Sequence, residues 1–243
     1  MPADDFEQAL VSHLSARGLG DQAAKLIADL LDTFLSFKVD PTPSPEFDAY
    51  VCFAFGNVVD GTGNFSAGPV NELLSQVVER RYSKTPKKII AQWEIGELLR
   101  DRSSIPQSDL VSVGPKFDRT RGKAEYLSTQ DFAKFVASQC KDNNFGRRLL
   151  VVAQWFHLAR CVRDLVKAEL EPVIIDQDEM PREFCNLSDC GQLWTTDESL
   201  HVLNTLIGSL DRYRKVENEK WMDANPLAPC VLPNRESRSR RKS

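Results

Sequence analysis

The chain has 243 residues, of which 42% are hydrophobic and 27% are charged, a balance typical of a globular domain with short appendages. Its formal net charge is −4, and the basic segment at 235–243 leaves the rest of the chain more acidic than that figure. An acidic body argues against a nucleic-acid-binding core. No apolar run approaches the roughly 18 residues of a membrane span, and the acidic start lacks the form of a secretory signal. We therefore expect a cytoplasmic location.

Residues 1–40 predict a pair of amphipathic helices, because apolar side chains recur at the helical period on both sides of a break at 18–21. A proline-rich connector at 40–45 ends this pair. We expect the pair to pack on the main domain, although an independent appendage is the alternative. At the other end of the chain, proline and then basic residues predict a disordered tail over 225–243.

Between these ends, residues 47–213 predict one domain in which strands and helices alternate. Short apolar runs bounded by turn residues predict strands, and longer segments with a 3.6-residue apolar period predict helices. The predicted strands are 50–55, 87–91, 109–113, 149–153 and 172–175, and the predicted helices begin near 69, 93, 129, 156 and 197. This order predicts an α/β fold with a doubly wound, mostly parallel sheet of about five strands, Rossmann-like in its winding.

The first strand runs into a glycine-rich loop at 56–68, where backbone N–H groups can approach a phosphate or carboxylate. The loop contains no G-x-G-x-x-G pattern, and it is not a Walker A loop because Pro69 stands where that motif needs lysine. A loop that uses glycine only for flexibility is an equal alternative. If the loop binds a ligand, we expect Gly56 and Asn57 to take part, with Asn71 on the helix that follows.

The central feature is the segment 149–165, in which a continuous apolar run gives way to a helical pattern within a few residues. Such a junction brings a helix amino terminus to the carboxyl edge of a parallel sheet, where open α/β folds bind ligands. His157 and Arg160 lie at this junction. The imidazole can exchange a proton near neutral pH, and the guanidinium offers a planar fork to a phosphate or carboxylate. A structural core histidine is the alternative.

Residues that precede the 129–140 helix extend the predicted site. Ser128 suits the N-cap of this helix, and Thr129 is its first residue. Glu125 comes before the cap, and we expect it to orient His157, although an exposed Glu125 fits the pattern equally. The predicted catalytic residues are His157 and Glu125, and the predicted ligand-binding residues are Gly56, Asn57, Asn71, Ser128, Thr129 and Arg160.

The six cysteines are expected to be free thiols, since disulfides are rare in the cytosol. Two weak metal patterns occur, His157 with Cys161 and Cys185 with Cys190 and His201. The first has no third ligand nearby, and the second lacks the close cysteine pairs and the four ligands of structural zinc sites. We therefore predict no metal site.

Three segments resemble the YdcF/SanA/ElyC family of bacterial α/β proteins. The first strand leading to Gly56 is similar to the family's opening strand. Residues 125–133 (EYLSTQDFA) are similar to its E-S-x-N-T-x-E-N-A motif, and residues 150–160 (LVVAQWFHLAR) to its L-V-T-x-x-F-H-M-x-R-A segment. The similarity spans roughly 47–213. It departs at 91–93, where Ala-Gln-Trp replaces the family's S-G-G turn, which implies a narrower crevice or a different ligand.

The resemblance implies an α/β fold, a link with envelope biogenesis and S-adenosylmethionine as a candidate cofactor, because one member is associated with its binding. The residues themselves favour a domain that binds an anionic, nucleotide-like or phosphorylated small molecule, and that acts as a hydrolase or group transferase if it is catalytic. One alternative is a non-catalytic interaction protein that uses the N-terminal helices and the basic tail. The other is an S-adenosylmethionine-binding protein or methyltransferase with its cofactor on the 56–68 loop. We expect no specific nucleic-acid partner.

Overall fold

A computed structural model describes residues 37–59, 61–62, 65–118, 123–125, 127–185, 190–202 and 204–205, together with Ser12 and Ala16; at 116–118 and 123–125 it describes the backbone. The predicted N-terminal helical pair lies outside these residues, apart from Ser12 and Ala16, which are helical and exposed. The predicted tail at 225–243 also lies outside them.

The described core alternates strands and helices in the predicted order. The strands are β1 (Ala49–Cys52), β2 (Asn57–Val59), β3 (Phe65–Ala67), β4 (Lys88–Gln92), β5 (Leu110–Val113), β6 (Lys116–Asp118), β7 (Lys123–Glu125), β8 (Arg148–Val152) and β9 (Glu171–Val173). The helices are α1 (Pro69–Tyr82), α2 (Trp93–Arg102), α3 (Thr129–Asn143) and α4 (Leu158–Lys167). Residues 198–202 and 204–205 are also helical, within the predicted closing helix.

The main sheet has five strands in the order β5-β4-β1-β8-β9, and every neighbouring pair is parallel. The chain starts in the centre at β1, moves outward through β4 to β5, then returns to the other side of β1 with β8 and continues to β9. The strand order therefore reverses between β1 and β8. This is the position at which doubly wound sheets open a crevice beyond their carboxyl ends.

Both faces of the sheet are covered by helices, which confirms the doubly wound α/β prediction. Side chains alternate along β1, so that Ala49 and Val51 point to one face and Tyr50 and Cys52 to the other. The first face packs against α3 and α4 through Phe132, Val136, Leu158 and Leu165. The second face packs against α1 and α2 through Val70, Leu74, Ile95 and Leu99. The nearly continuous apolar runs of the central strands follow from this double burial.

The two long loops differ from the prediction, because each contains a short antiparallel hairpin. β2 pairs with β3 inside the glycine-rich loop, and β6 pairs with β7 inside the predicted polar loop at 114–123. The strands of each hairpin are three residues long. Such short strands give too few alternating positions for a period of two to be recognised.

Local signals at the helix ends are largely confirmed. Pro69 opens α1, as expected for proline at a first helical position. Ser128 caps α3, and its hydroxyl accepts a hydrogen bond from the Asp131 N–H. α4 begins at Leu158, two residues later than the pattern predicts, because residues 155–157 form a turn that makes His157 the N-cap.

The expectation of free thiols is wrong for one pair, since Cys185 and Cys190 form a disulfide. The Cys185 N–H donates to the Thr195 carbonyl. Three other cysteines, Cys52, Cys140 and Cys161, are free and buried in the core. None of the helices in the described ranges is both long and apolar enough to cross a bilayer.

Candidate functional site

A cavity of about 230 Å³ lies at the carboxyl edge of the sheet, where the strand order reverses. Its walls come from the ends of β1 and β4, from the start of α3, from the junction between β8 and α4, and from the segment after β9. The lining residues are Ala54, Gln92, Leu127, Ser128, Thr129, His157, Arg160, Trp194 and Asn204. Four of these, Ser128, Thr129, His157 and Arg160, are residues that the sequence predicts for the site.

The amino end of α3 forms one wall. Ser128 holds this end in place, since its hydroxyl accepts from the Asp131 N–H and donates to the Asp131 carboxylate. α3 is 15 residues long, so that its aligned peptide dipoles place partial positive charge at Thr129. This wall therefore favours a negatively charged ligand group.

Arg160 supplies a full positive charge to the same cavity. Its side chain is partly buried, and its buried Nε atom has no hydrogen-bond partner among the described residues. Within the described part of the chain, no carboxylate forms an ion pair with Arg160. A partly desolvated guanidinium without a carboxylate partner is suited to binding an anion.

His157 lines the cavity but is 3% exposed, because aromatic rings surround it. Its ring centroid lies 5.8 Å from that of Phe55, 6.2 Å from that of Trp194 and 6.0 Å from that of His201. Burial, reinforced by the positive charge of Arg160 and by His201, holds the pKa of His157 well below its usual value of 6.5. The imidazole is therefore neutral at physiological pH, and its Nδ1 atom has no hydrogen-bond partner.

Two buried glutamines hold the strand ends that frame the cavity. The Gln92 side chain, at the end of β4, accepts from the Ala54 N–H at 2.8 Å and donates to the Leu127 carbonyl at 3.2 Å. Gln154, just after β8, accepts from the N–H groups of Phe156 and His157. Each amide thereby satisfies backbone groups that leave the sheet, and fixes loops that carry cavity residues.

Gly56 and Asn71 serve the loop after β1 and do not line this cavity. Gly56 has a φ of 76°, a left-handed conformation that favours glycine. The Asn71 side chain accepts from the Phe55 N–H at 2.8 Å and donates to the Gly56 carbonyl at 2.7 Å. Both ends of its amide are thus bound to backbone, which gives Asn71 a structural role in the loop.

The two remaining predicted residues lie elsewhere. Asn57, in β2, lines a second and larger cavity of about 410 Å³. Glu125 ends β7, where its backbone pairs with Lys116 in the hairpin. Its side chain is not among the described ones, so the predicted partnership of Glu125 with His157 stays a prediction.

Sequence reasoning missed Gln92, Trp194 and Asn204, which also line the first cavity. Gln92 carried a usable signal, because it is a polar residue directly after the apolar run of a buried strand. Nothing in the sequence pattern marks Trp194 or Asn204 as a site residue. They reach the site only because the segment after β9 returns across the carboxyl edge of the sheet, where Val58 forms an antiparallel bridge with Cys190.

In comparisons with family models, with curated proteins and with solved structures, the chain matches none of them. The resemblance to the YdcF/SanA/ElyC family therefore stays a prediction from three short segments. The geometry of the site carries the functional argument by itself.

Proposed function

We propose that this chain is a ligand-binding α/β domain that holds an anionic group of a nucleotide-like or phosphorylated small molecule in the cavity at the strand-order reversal. One observation carries the proposal: the positive end of α3 and the Arg160 guanidinium line the same cavity. Both attract negative charge. None of the described lining residues is an aspartate or glutamate, and the Asp131 carboxylate at the same helix end is bound to the Ser128 hydroxyl.

Binding is better supported than catalysis by His157. A general acid must carry a proton at the working pH, and an effective general base has a pKa near that pH. Burial keeps the pKa of His157 well below its usual value. In the proposal the imidazole is a neutral wall of the cavity, and Arg160 with the α3 terminus holds the anion. A hydrolase, a group transferase and an S-adenosylmethionine-dependent enzyme are consequently ranked below a binding domain.

The test is a thermal-denaturation screen of the full chain against inorganic phosphate, nucleoside phosphates, sugar phosphates and S-adenosylmethionine. A ligand present at about a hundred times its dissociation constant adds roughly 2.7 kcal/mol to the free energy of unfolding, which shifts the melting temperature measurably. The shift is expected for phosphorylated compounds, and it should shrink as salt is added, because the cavity is partly open to solvent.

Two variants locate the binding. Arg160→Gln removes the guanidinium charge from the cavity and is expected to abolish the shift with inorganic phosphate and to reduce the shift with phosphorylated compounds. Arg100→Gln removes the same charge from an exposed position on α2 and should leave the shift intact. An equal response of the two variants would mean that the anion binds through general surface charge, and the proposal would be wrong.

A further inference from the structure

The second cavity adjoins the first one and has a different chemistry. Gln92 lines the first cavity and the next residue, Trp93, lines the second. On the segment after β9, Trp194 lines the first cavity and Gln192 lines the second. The two cavities are therefore lined by neighbouring residues of the same two chain segments.

The walls of the second cavity are mainly apolar and aromatic. The lining residues are Asn57, Phe65, Trp93, Glu97, Gly114, Pro115, Gly191 and Gln192. Phe65 is 53% exposed, so its ring is accessible to a ligand. No lysine or arginine occurs among the described residues of this lining, whereas Glu97 brings a carboxylate. The described walls of the second cavity are therefore less suited to an anionic group than those of the first.

The second cavity is lined by two side-chain amides, Asn57 and Gln192. Their oxygens are buried, and neither has a hydrogen-bond donor among the residues that the structure describes. Asn57 itself is only 4% exposed. Leaving a buried acceptor unpaired is costly, so a ligand that brings N–H groups to this wall gains more than an apolar ligand of the same shape.

We propose that the second cavity binds a planar heteroaromatic ring that carries N–H donors, the chemistry that nucleobases share. This inference rests on the proposed function, because it assigns the ring to the same ligand whose anionic group occupies the first cavity. Size supports the division. At about 230 Å³ the first cavity is smaller than the roughly 300–1,000 Å³ of pockets that enclose a whole small-molecule ligand, so it accommodates one group of a larger molecule.

Trp93 and Phe65 give the ring its stacking surfaces. Stacking of a base on an aromatic side chain contributes about 1–3 kcal/mol, so removal of one such surface is expected to weaken binding about tenfold. Glu97 and the two amides then select rings with N–H donors over plain hydrocarbons. The ligand class that follows is a nucleoside phosphate, with its base in the second cavity and its phosphate beside Arg160.

The experiment titrates the full chain by calorimetry with four ribonucleosides, their 5′-monophosphates, inorganic phosphate and naphthalene sulfonate as a ring without N–H donors. At least one nucleoside should bind without any phosphate, and its monophosphate should bind more tightly. Trp93→Ala should weaken the nucleoside and the monophosphate about tenfold or more and leave inorganic phosphate unchanged. Arg160→Gln should do the reverse, removing the phosphate contribution and sparing the nucleoside.

Two further variants serve as a second test of the stacking surface and as a control for tryptophan replacement. Phe65→Ser changes an exposed residue of β3 and no residue of α2, and it should reproduce the loss of nucleoside binding. Trp155→Phe alters a tryptophan that lines neither cavity, and it should leave the affinity for nucleoside, monophosphate and inorganic phosphate unchanged. Binding of inorganic phosphate but of no nucleoside would overturn this inference and leave the proposed function intact. Equal binding of naphthalene sulfonate, or nucleoside binding that survives both Trp93→Ala and Phe65→Ser, would also overturn it.

Discussion

The Thr195 hydroxyl oxygen lies 2.6 Å from the position that a β-carbon on Gly56 would occupy. This close contact packs the loop after β1 against the segment that follows β9. Trp194, next to Thr195, lines the first cavity, and Gly191 and Gln192 line the second. The glycine at 56 therefore allows the returning segment to close both cavities.

Replacement of Gly56 by alanine should destabilise the fold. The residue has a φ of 76°, which costs a non-glycine residue about 1–2 kcal/mol, and the new methyl group would also collide with Thr195. We expect Gly56→Ala to lower the free energy of unfolding by about 2–4 kcal/mol in urea denaturation. Gly61→Ala is the matched control, because a β-carbon there meets nothing within 4 Å. Similar losses in both variants would contradict the account.

The amide of Gln92 provides the second prediction. Gln92→Met keeps the length of the side chain but leaves the buried Ala54 N–H and the Leu127 carbonyl without their partner. Each unpaired buried group costs about 1–3 kcal/mol, so the variant should be clearly less stable in urea denaturation. Gln76→Met, at an exposed position on α1, should change stability by less than about 0.5 kcal/mol. A neutral Gln92→Met would mean that the amide does not frame the cavity.

The five parallel strands could be predicted because burial on both faces produces a simple signal. Leu149, Leu150 and Val151 are all buried, and such uninterrupted apolar runs have few alternative structures. The hairpins β2–β3 and β6–β7 could not be predicted in this way. Phe65 and Ser66 in β3 are exposed, so nothing in their pattern separates them from a loop.

The site could be predicted where it depends on position along a strand or helix. Ser128 caps α3 and His157 caps α4, and both helices begin at the carboxyl edge of a parallel sheet. What could not be predicted is the environment of His157. Its burial comes from Phe55, Trp194 and His201, which are distant in sequence and meet only in the folded chain. Sequence reasoning therefore assigned an ordinary titration near neutral pH to a residue that is kept neutral.

The buried histidines should make the fold sensitive to acid. Burial lowers the pKa of His201 from 6.5 to about 4, although hydrogen bonds to backbone carbonyls oppose the shift and the nearby charge of Arg160 adds to it. Between these pH values the unfolded chain binds more protons than the folded chain, so stability is full above about pH 6.5 and falls towards pH 4. His201→Phe keeps a ring in the aromatic cluster and removes this titration.

The measurement is the free energy of unfolding of wild type and His201→Phe at several pH values from 7.5 to 4. As the pH falls from 7.5 to 4, the free energy of unfolding of the variant should rise relative to that of wild type by on the order of 2–3 kcal/mol, because one pKa unit corresponds to about 1.36 kcal/mol. Taking the difference cancels the titrating groups that do not interact with His201. His157 is not one of them, because His201 contributes to the lowering of its pKa. Parallel curves for the two proteins would show that His201 is not buried in the folded state.

Glu94 should make the protein less stable as the pH rises, which is the reverse of the effect of His201. This glutamate is completely buried at the start of α2, and neither carboxylate oxygen has a hydrogen-bond partner in another described residue. Burial raises the pKa of Glu94 from 4.5 to about 8. The folded chain therefore binds the extra proton between these values, so the stability from Glu94 is full below about pH 4.5 and is lost as pH rises through 8.

Glu94→Gln places a permanently neutral group of the same shape at this position. The variant and wild type should have similar stability near pH 4.5, and the variant should become more stable by a few kcal/mol as the pH reaches 8 to 9. The charge of Glu97 contributes to the raised pKa of Glu94, so Glu97→Gln should reduce, but not remove, the loss of stability at high pH that depends on Glu94. A Glu94→Gln variant that loses stability at high pH would mean that the carboxylate has a partner in the folded protein.

The disulfide between Cys185 and Cys190 should stabilise the segment that closes both cavities. It joins residues five positions apart, and restricting so short a loop in the unfolded chain contributes about 2 kcal/mol. Cys190→Ser should lower the free energy of unfolding by about that amount. It should also weaken ligand binding, because Gly191, Gln192 and Trp194 follow the bond directly and line the cavities.

Cys161→Ala, at a free cysteine in the core of α4, should lower stability without selectively weakening binding. Peptide mapping under non-reducing conditions locates the bond, and an unchanged melting temperature after addition of reductant would show that the bond does not hold the segment in place.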